Sequence, residues 1–218
     1  MPVILLMWSS QVTMEPSMAI GQGQVWWELH ANGSLDYSRG YLLELMYSKD
    51  IIISNLTFAN SPSWNIHPVY CRNVLIQYLT ILAPIQSPNT DGIDPDSSSH
   101  VCIEDCYVAN GDDLVSIKSG WDEYGIRYGR PSSKIVIRRL AGATRSSSVP
   151  IGSEMSGGVS HVYVHGLNVG HASTGIRIKS AQGRGGYVKD IYVSDVFLRN
   201  VKTAIVFTDL YWEHPDSL

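Results

Sequence analysis

The sequence has 218 residues, of which 44% are hydrophobic, a composition typical of a globular protein and not of a disordered chain. Its formal net charge of −4 at pH 7 argues against a nucleic-acid-binding protein, which normally carries a basic face. No apolar run reaches the ~18 residues of a membrane-spanning helix, and three cysteines without metal-ligand spacing predict neither a disulfide scaffold nor structural zinc.

The first 18 residues differ from the rest of the chain. They contain a short apolar stretch, but neither a basic region before it nor a small-residue cleavage site, so they do not match a signal peptide. We therefore divide the chain into an atypical start, residues 1–18, and a single domain, residues 19–218.

Short segments rich in β-branched residues recur from residue 50 onward. In each segment apolar and polar residues alternate, as in a strand with one buried face. The equivalent positions, at steps of 23, 27, 34, 27 and 29 residues, are Ile51, Val74, Val101, Ile135, Val162 and Ile191. We expect each segment to form one strand. A single strand over residues 100–108 would hold Cys102 and Cys106 ~13 Å apart, too far for a disulfide.

A second, shorter series lies between these segments, near Ile66, Ile93, Ile117, Ile151, Ile178 and Ile205. Turns rich in Gly, Asn, Asp and Ser separate the two series, and no amphipathic helix of ten or more residues follows residue 60. The lack of crossover helices argues against βαβ folds, and a β-sandwich does not repeat at such steps. The pattern predicts an all-β fold, a parallel β-helix in which the strands of successive coils stack.

Acidic residues are concentrated between Asn89 and Asp113, where six of 25 residues are Asp. Asp91 precedes one short strand, and Asp112 and Asp113 precede the corresponding strand about one coil later. Because neighbouring coils lie ~5 Å apart, we expect these three carboxylates to meet. Repulsion between them raises at least one pKa, so that a protonated carboxyl group can stand beside an ionised one. Such a pair is what glycoside hydrolysis requires.

Two cations follow about two coils later. Arg177 and Lys179 alternate about Ile178, so both should point to one face of the strand while Ile178 points to the other. An Arg-x-Lys pair is often only a solvated strand face, but its position past the acids suggests a substrate that carries carboxylates. For an exposed pair, replacing Lys179 with Met should change the free energy of unfolding by less than ~1 kcal/mol.

The motifs NTDG at 89–92, GDD at 111–113 and RIK at 177–179 resemble, in this order, those of the polygalacturonases of glycoside hydrolase family 28. The stretches SPSWNIHPVYC at 61–71 and IGSEMSGGV at 151–159 resemble the plant branch of that family. The resemblance covers roughly residues 20–215. It implies a right-handed parallel β-helix that hydrolyses α-1,4-linked galacturonan in pectin, as a secreted cell-wall monomer that needs no cofactor or metal.

By the same resemblance, Asp112 would be the general acid, and Asp91 and Asp113 would hold and activate the attacking water. The substrate-binding residues would be Asn89, Arg177 and Lys179. The implied reaction inverts the anomeric centre, which calls for carboxylates far enough apart to admit a water.

The chain is short for this family, so the resemblance implies an N-terminally shortened β-helix, and it departs from the family pattern at two places. Family members have Gly-His-Gly before the Ile-Gly-Ser found here at 151–153, whereas this chain has three serines at 146–148, and His161 and His171 follow in a predicted strand and a predicted turn. Ala19–Gly23 stands where the family has Ile-Asp-Gly-Gln-Gly, which a shifted reading frame before residue 19 would explain. The missing His leaves a catalytically impaired pectin-binding module as an alternative function.

A calcium-dependent pectate lyase on the same architecture is a further alternative. Asp91, Asp94 and Asp96 offer oxygen ligands, but their spacing lacks the EF-hand pattern and its glycine. The residue pattern therefore favours the hydrolase over the lyase.

Overall fold

The structure is a computed structural model of the chain, and it describes residues 3–6 and 18–211. Most of the atypical start, residues 1–2 and 7–17, lies outside the described residues. Val3–Leu6 forms a strand that pairs in parallel with Leu43–Met46. The division at residue 19 and the shifted reading frame stay predictions.

Strands make up most of the described chain. In order, the elements are β1 (Val3–Leu6), β2 (Met18–Ile20), α1 (Gly23–Ala31), β3 (Leu43–Met46), β4 (Lys49–Ser54), β5 (Thr57–Ala59), β6 (Ile66–Val69), β7 (Arg72–Gln77), β8 (Thr80–Leu82), β9 (Ser99–Glu104), β10 (Tyr107–Asn110), α2 (Asp122–Tyr128), β11 (Ser132–Thr144), β12 (Ser147–Ile151), β13 (Val159–Lys179), β14 (Val188–Leu198) and β15 (Val201–Thr208). Among these residues, neither helix has the length and apolar character needed to cross a membrane.

The first face of the fold is the ladder predicted from the aligned segments. Parallel pairing joins Ile51 to Val74, Val74 to Val101, Val101 to Ile135, Ile135 to Val162 and Val162 to Ile191. These pairs run through β4, β7, β9, β11, β13 and β14. The register and the parallel direction of this ladder are both confirmed.

Two further faces complete each coil. The second face stacks β2, β5, β8 and β10 and continues through the later parts of β11, β13 and β14. The third begins with β1, β3 and β6, continues through isolated bridges at Ile93 and Val115, and ends with β12, β13 and β15. All of these pairs are parallel, and parallel connections of this kind are right-handed. The chain is a right-handed parallel β-helix, as predicted.

Sharp corners connect the first face to the second. The corner residues have positive φ, namely Asn55 at 57°, Tyr78 at 52°, Asp105 at 53°, Arg139 at 51°, Gly166 at 71° and Asp195 at 51°. The prediction of one strand over residues 100–108 is therefore wrong, since β9 ends and β10 begins on either side of Asp105. Cys102 and Cys106 lie on opposite sides of this corner, and both are free.

The third face follows the predicted register except at two steps. Ile93 pairs with Val115 and not with Ile117, and Ile205 pairs with Ile176 and not with Ile178. Both errors are shifts of two residues. Because strand side chains alternate with period two, such shifts keep the same face turned inward. Ile66, Ile93, Ile117 and Ile151 are buried, whereas Ile205, on the last strand of this face, is 60% exposed.

Inward-facing aliphatic side chains fill the coils. Val74, Val101, Ile135 and Val162 are at most 1% exposed, and Ile93 on the third face is fully buried. Burial of each such side chain stabilises the fold by ~1.5–3 kcal/mol. The stacked ladders thus form a rigid support for the polar side chains that point outward from the third face.

Candidate active site

The three carboxylates predicted to meet do so at the third face. The Gly92 backbone N–H donates to the carbonyl oxygen of Asp113 at 2.9 Å, which places Asp91 beside Asp113 on adjacent coils. Asp112 lies one residue earlier, on the turn that leads into its coil. One oxygen from each of Asp91, Asp112 and Asp113 lies within 4.8 Å of the other two.

Asp113 is held in its ionised form by its surroundings. It is 1% exposed, and it accepts hydrogen bonds from Lys179 Nζ at 2.7 Å, from Ser146 Oγ at 2.7 Å and from the Ser147 backbone N–H at 2.8 Å. Burial alone would raise the pKa of Asp113, but the charge and hydrogen bond of Lys179, together with the two serine bonds, hold it below its usual range.

Asp91 and Asp112 have raised pKa values, and burial is the largest cause for both. For Asp112 the next cause is the charge of Asp113. For Asp91 the next causes are the charges of its acidic neighbours, which the cation of Lys118 offsets only in part. Asp91 is 4% exposed, whereas Asp112 is half-buried. The cluster therefore favours a bound proton, and Asp112 can present it to solvent.

Among the described residues, the same three carboxylates form the group that could surround a metal ion. Calcium takes six to eight oxygen ligands, but the ammonium of Lys179 already neutralises Asp113. Asp94 and Asp96, which a calcium-dependent lyase would add, do not belong to this group. The donor set therefore suits proton transfer better than calcium binding.

Lys179 is buried, which contradicts the expectation of an exposed strand face. It is 6% exposed and pairs with Asp113, whose charge outweighs burial and raises the pKa of Lys179. The expectation of a surface-like stability effect for Lys179→Met is therefore wrong. The side chain is part of a buried ion pair and cannot be removed at little cost.

Arg177 shares the outward face with Lys179, as predicted from their alternation. The guanidinium of Arg177 and the ammonium of Lys179 each lie 5.3 Å from the centre of the Tyr211 ring. Arg177 Nε is buried and has no hydrogen-bond partner among the described residues. Arg177 can therefore bind an anion at this face. The neighbouring ring of Tyr211 was not part of any motif identified in the sequence.

Asn89 lies beside a cation that the sequence did not reveal. Arg39 Nη2 donates to Asn89 Oδ1, and Arg39 Nη1 donates to the carbonyl oxygens of Pro62 and Pro88 at 3.1 and 2.7 Å. Arg39 comes from a loop without any strand pattern, so no periodicity could have placed it here. In this structure the side chain of Asn89 fixes the position of Arg39 at the edge of the cluster.

A buried ion pair flanks the carboxylates. Lys118 is 3% exposed, its Nζ lies 2.9 Å from Glu154 Oε2, and the same atom lies 4.4 Å from the centre of the Trp64 ring. Burial would lower the pKa of Lys118, but Glu154 and nearby Asp residues raise it well above its usual value. Burial would likewise raise the pKa of Glu154, which Lys118 lowers to about 2. Lys118 is thus a permanent positive charge near Asp91.

Asp94 is fully buried, and neither of its oxygens has a hydrogen-bond partner among the described residues. Burial raises its pKa to about 7, although Lys118 and His67 act in the opposite direction. His67 itself is buried, yet the ion pair of its Nε2 with Asp96 at 3.8 Å and the hydrogen bond of its Nδ1 with Glu44 at 3.0 Å outweigh burial and raise its pKa to about 9. Asp94 therefore titrates near neutral pH, next to the carboxylate cluster.

Serines occupy the place expected for a histidine. Of the residues at 146–148, Ser146 and Ser147 bind the ionised carboxylate through a hydroxyl and a backbone N–H. His161 is exposed at a corner, and His171 lies in β13 and not in the predicted turn, also exposed. Neither histidine takes the missing place, so the cluster contains carboxylates, cations and hydroxyls.

Comparison with known proteins gives this geometry a context. A family model described as glycosyl hydrolases family 28 matches residues 11–217. A probable polygalacturonase of Vitis vinifera is 56% identical over 198 residues, which are 90% of this chain and 40% of that protein.

Two solved structures are also similar. The exopolygalacturonase from Thermotoga maritima has a TM-score of 0.76 and 33% identity, over 88% of this chain and 46% of that one. The polygalacturonase from Erwinia carotovora ssp. carotovora has a TM-score of 0.79 and 30% identity, over 92% of this chain and 54% of that one. The chain therefore spans between 40% and 54% of the length of these three relatives.

Proposed function

The chain belongs to glycosyl hydrolases family 28, and from this premise we propose that it hydrolyses the α-1,4-linked galacturonan of pectin in the cell wall. The observation that carries the proposal is the acidic cluster, in which the pKa of Asp113 is lowered while the pKa of Asp112 is raised. Adjacent carboxyl groups whose pKa values are driven apart are suited to acid and base roles in glycoside hydrolysis.

In the proposed reaction Asp112 is the general acid, because its pKa is raised and its side chain is the most accessible of the three. Its proton goes to the glycosidic oxygen as the bond from that oxygen to the anomeric carbon breaks. Asp91 and Asp113 hold the water, whose oxygen bonds to the anomeric carbon. The proton of this water passes to the Asp91–Asp113 pair, in which Asp113 is held ionised by Lys179.

Cations around the cluster select the substrate. Arg177, with a buried Nε that has no partner among the described residues, binds the galacturonate carboxylate through charge-assisted hydrogen bonds. Lys179 contributes through its ion pair with Asp113. Asn89 and Arg39 border the opposite edge of the site and bind the polymer there.

The stereochemical outcome rests on the family resemblance. Inverting glycosidases usually separate their carboxyl groups by ~6.5–9.5 Å, whereas the nearest oxygens of this cluster lie within 4.8 Å of one another. These oxygens therefore lie closer together than the spacing that an inverting mechanism predicts. We propose inversion because Asp91 and Asp113 can hold a water together.

A pectin-binding β-helix without catalysis is the second candidate. It is favoured by Ser147, which stands where the family resemblance led us to expect a histidine. In that case the carboxylates and Arg177 would bind galacturonan without cleaving it.

A reducing-end assay on polygalacturonate, run with a calcium chelator, separates the candidates. We expect calcium-independent release of reducing ends, and a loss of ~10²–10⁴-fold in the Asp112→Asn variant, because that change removes the proton donor and little volume. Unsaturated products that absorb in the ultraviolet would indicate the lyase, and binding without release would indicate the module. Near-parental turnover by Asp112→Asn would refute the acid assignment.

A further inference from the structure

A second pocket opens beside α2, away from the acidic cluster. It encloses about 120 Å³ and is lined mainly by Tyr70, Ser119, Trp121, Tyr124, Tyr128 and Arg130. None of the three clustered carboxylates, nor Arg177 or Lys179, contributes to its wall. Most of these residues belong to the stretch from Ser119 to Arg130, which the proposed reaction does not use.

The wall formed by α2 is fixed in place. Gly120 and Gly125 touch so closely that a Cβ on Gly120 would lie 2.8 Å from the Gly125 Cα. Asp122, at the start of α2, pairs with Arg184 at 3.3 Å, and the two residues are 2% and 0% exposed. A pocket between such anchored elements is largely preformed, so a ligand meets little ordering cost.

Tyrosine rings make up the apolar surface of the pocket. Tyr124 and Tyr128 stand four residues apart, on one side of α2, and are 70% and 52% exposed. Tyr70 lies opposite, with its ring centre 4.9 Å from that of Tyr128 and 4.8 Å from that of Tyr47. Exposed aromatic rings grouped in this way mark binding surfaces, and their faces suit the apolar face of a sugar ring.

Arg130 is the charged residue of the pocket wall. The guanidinium of Arg130 lies 5.1 Å from the centre of the Tyr70 ring and donates to the Tyr70 carbonyl oxygen at 2.6 Å. No carboxylate of the described residues forms an ion pair with Arg130. Two buried polar atoms of the wall have no hydrogen-bond partner in the described part of the chain. They are Oγ of Ser119, a residue that is 1% exposed, and Nε1 of Trp121. Because Arg130 has no carboxylate partner in the described part of the chain, its charge favours a negatively charged ligand in the pocket.

We propose that this pocket is a second, non-catalytic binding site for galacturonan, which holds one uronic acid residue with its carboxylate on Arg130 and its ring against Tyr124 and Tyr128. The proposal rests on the proposed function for the identity of the polymer. A chain bound here would keep the protein on its substrate while another segment occupies the acidic cluster.

The charge around the pocket is compatible with an anionic ligand. Asp96 contacts the pocket wall, where its Oδ1 accepts hydrogen bonds from Ser97 Oγ at 2.7 Å and from the Gly120 backbone N–H at 3.0 Å. Its Oδ2 faces His67 at 3.8 Å, and the pKa of that histidine is raised to about 9. The charge of His67 thus offsets that of Asp96, and Arg130 supplies the positive charge that a ligand meets.

Titration calorimetry and indole NMR with trigalacturonate test the proposal. The protein carries Asp112→Asn so that the ligand is not cleaved, and the Trp121 signal, one of six Trp, is identified with Trp121→Phe. We expect two binding events per chain, one of which shifts the Trp121 indole signal. Arg130→Gln should weaken that event about tenfold, the loss of one charge-assisted bond, and Tyr124→Ala should weaken it as well. Tyr78→Ala, an exposed tyrosine outside the pocket, is the matched control and should leave it unchanged.

Each outcome decides the proposal. An unshifted Trp121 signal at saturating ligand, or equal binding by Tyr124→Ala and Tyr78→Ala, overturns it. Equal affinity for the fully methyl-esterified trisaccharide overturns the role of Arg130 as carboxylate ligand. Because these readouts do not involve hydrolysis, a protein that shifts the Trp121 signal but releases no reducing ends would retain the second site and refute the proposed function alone.

Discussion

Replacing Lys179 with Met removes the cation of a buried ion pair. Lys179 is 6% exposed and Asp113 is 1% exposed, and their charged atoms lie 2.7 Å apart. Breaking one side of such a pair costs ~3–5 kcal/mol, since the remaining charge is left without compensation. We therefore expect Lys179→Met to lower the free energy of unfolding by that amount near pH 7, measured by urea unfolding followed by Trp fluorescence.

The pH dependence of this loss identifies its cause. In the parent the pKa of Asp113 is lowered, so its stabilising contribution is present above the unfolded pKa of ~3.9 and is lost as pH falls through the folded pKa. In Lys179→Met burial remains without the cation, so the pKa of Asp113 should rise above ~3.9. The difference in stability between parent and variant should therefore be largest at neutral pH and shrink as pH falls toward ~4.

Lys189→Met is the matched control, because Lys189 is exposed and forms no ion pair among the described residues, where it makes a cation–π contact with Tyr187 at 5.2 Å. It should lose less than ~1 kcal/mol. Adding Asp113→Asn to Lys179→Met should recover part of the loss, since the unpaired charge is then gone. If Lys179→Met behaved like Lys189→Met at pH 7, the buried pair would have no energetic role and the reasoning would be refuted.

Two further predictions concern the fold. Gly111→Ala should lose ~1–3 kcal/mol or more of unfolding free energy, because a Cβ would lie 1.9 Å from the carbonyl oxygen of Ser87. Gly170→Ala is the control, because its Cβ would lie 3.9 Å from the carbonyl oxygen of Gly142, and equal unfolding curves would contradict the packing argument. Cys102 and Cys106 should not form a disulfide, since they flank a corner and both are free. Mass mapping of the unreduced protein checks this prediction, and a peptide linked through these two cysteines would contradict it.

The ladder of the first face could be predicted from the sequence because its core positions repeat as β-branched residues. Ile51, Val74 and Val101 align by type alone, and their pairing is confirmed. The corners could not be predicted, because residues such as Tyr78 and Arg139 have no preference for positive φ. Their conformation is imposed by the stacked coils on either side.

The candidate site was predictable only where a motif marked it. Asp91, Asp112 and Asp113 were expected to meet, and the structure brings them together. Lys118 and Arg39 were missed, because stacking of coils of unequal length, not spacing along the chain, places them beside the acids. The burial of Lys179 was missed as well, since strand alternation shows which face a side chain takes but not what covers that face.

The most direct test of the proposed function is a proton NMR time course of oligogalacturonate with the protein. Hydrolysis with inversion of an α-linkage predicts that the anomeric signal of the new reducing end appears first in the β form and then equilibrates with the α form. An α signal first would contradict the inverting roles given to Asp112, Asp91 and Asp113. A vinyl proton signal from an unsaturated product, or no new reducing end, would contradict hydrolysis itself.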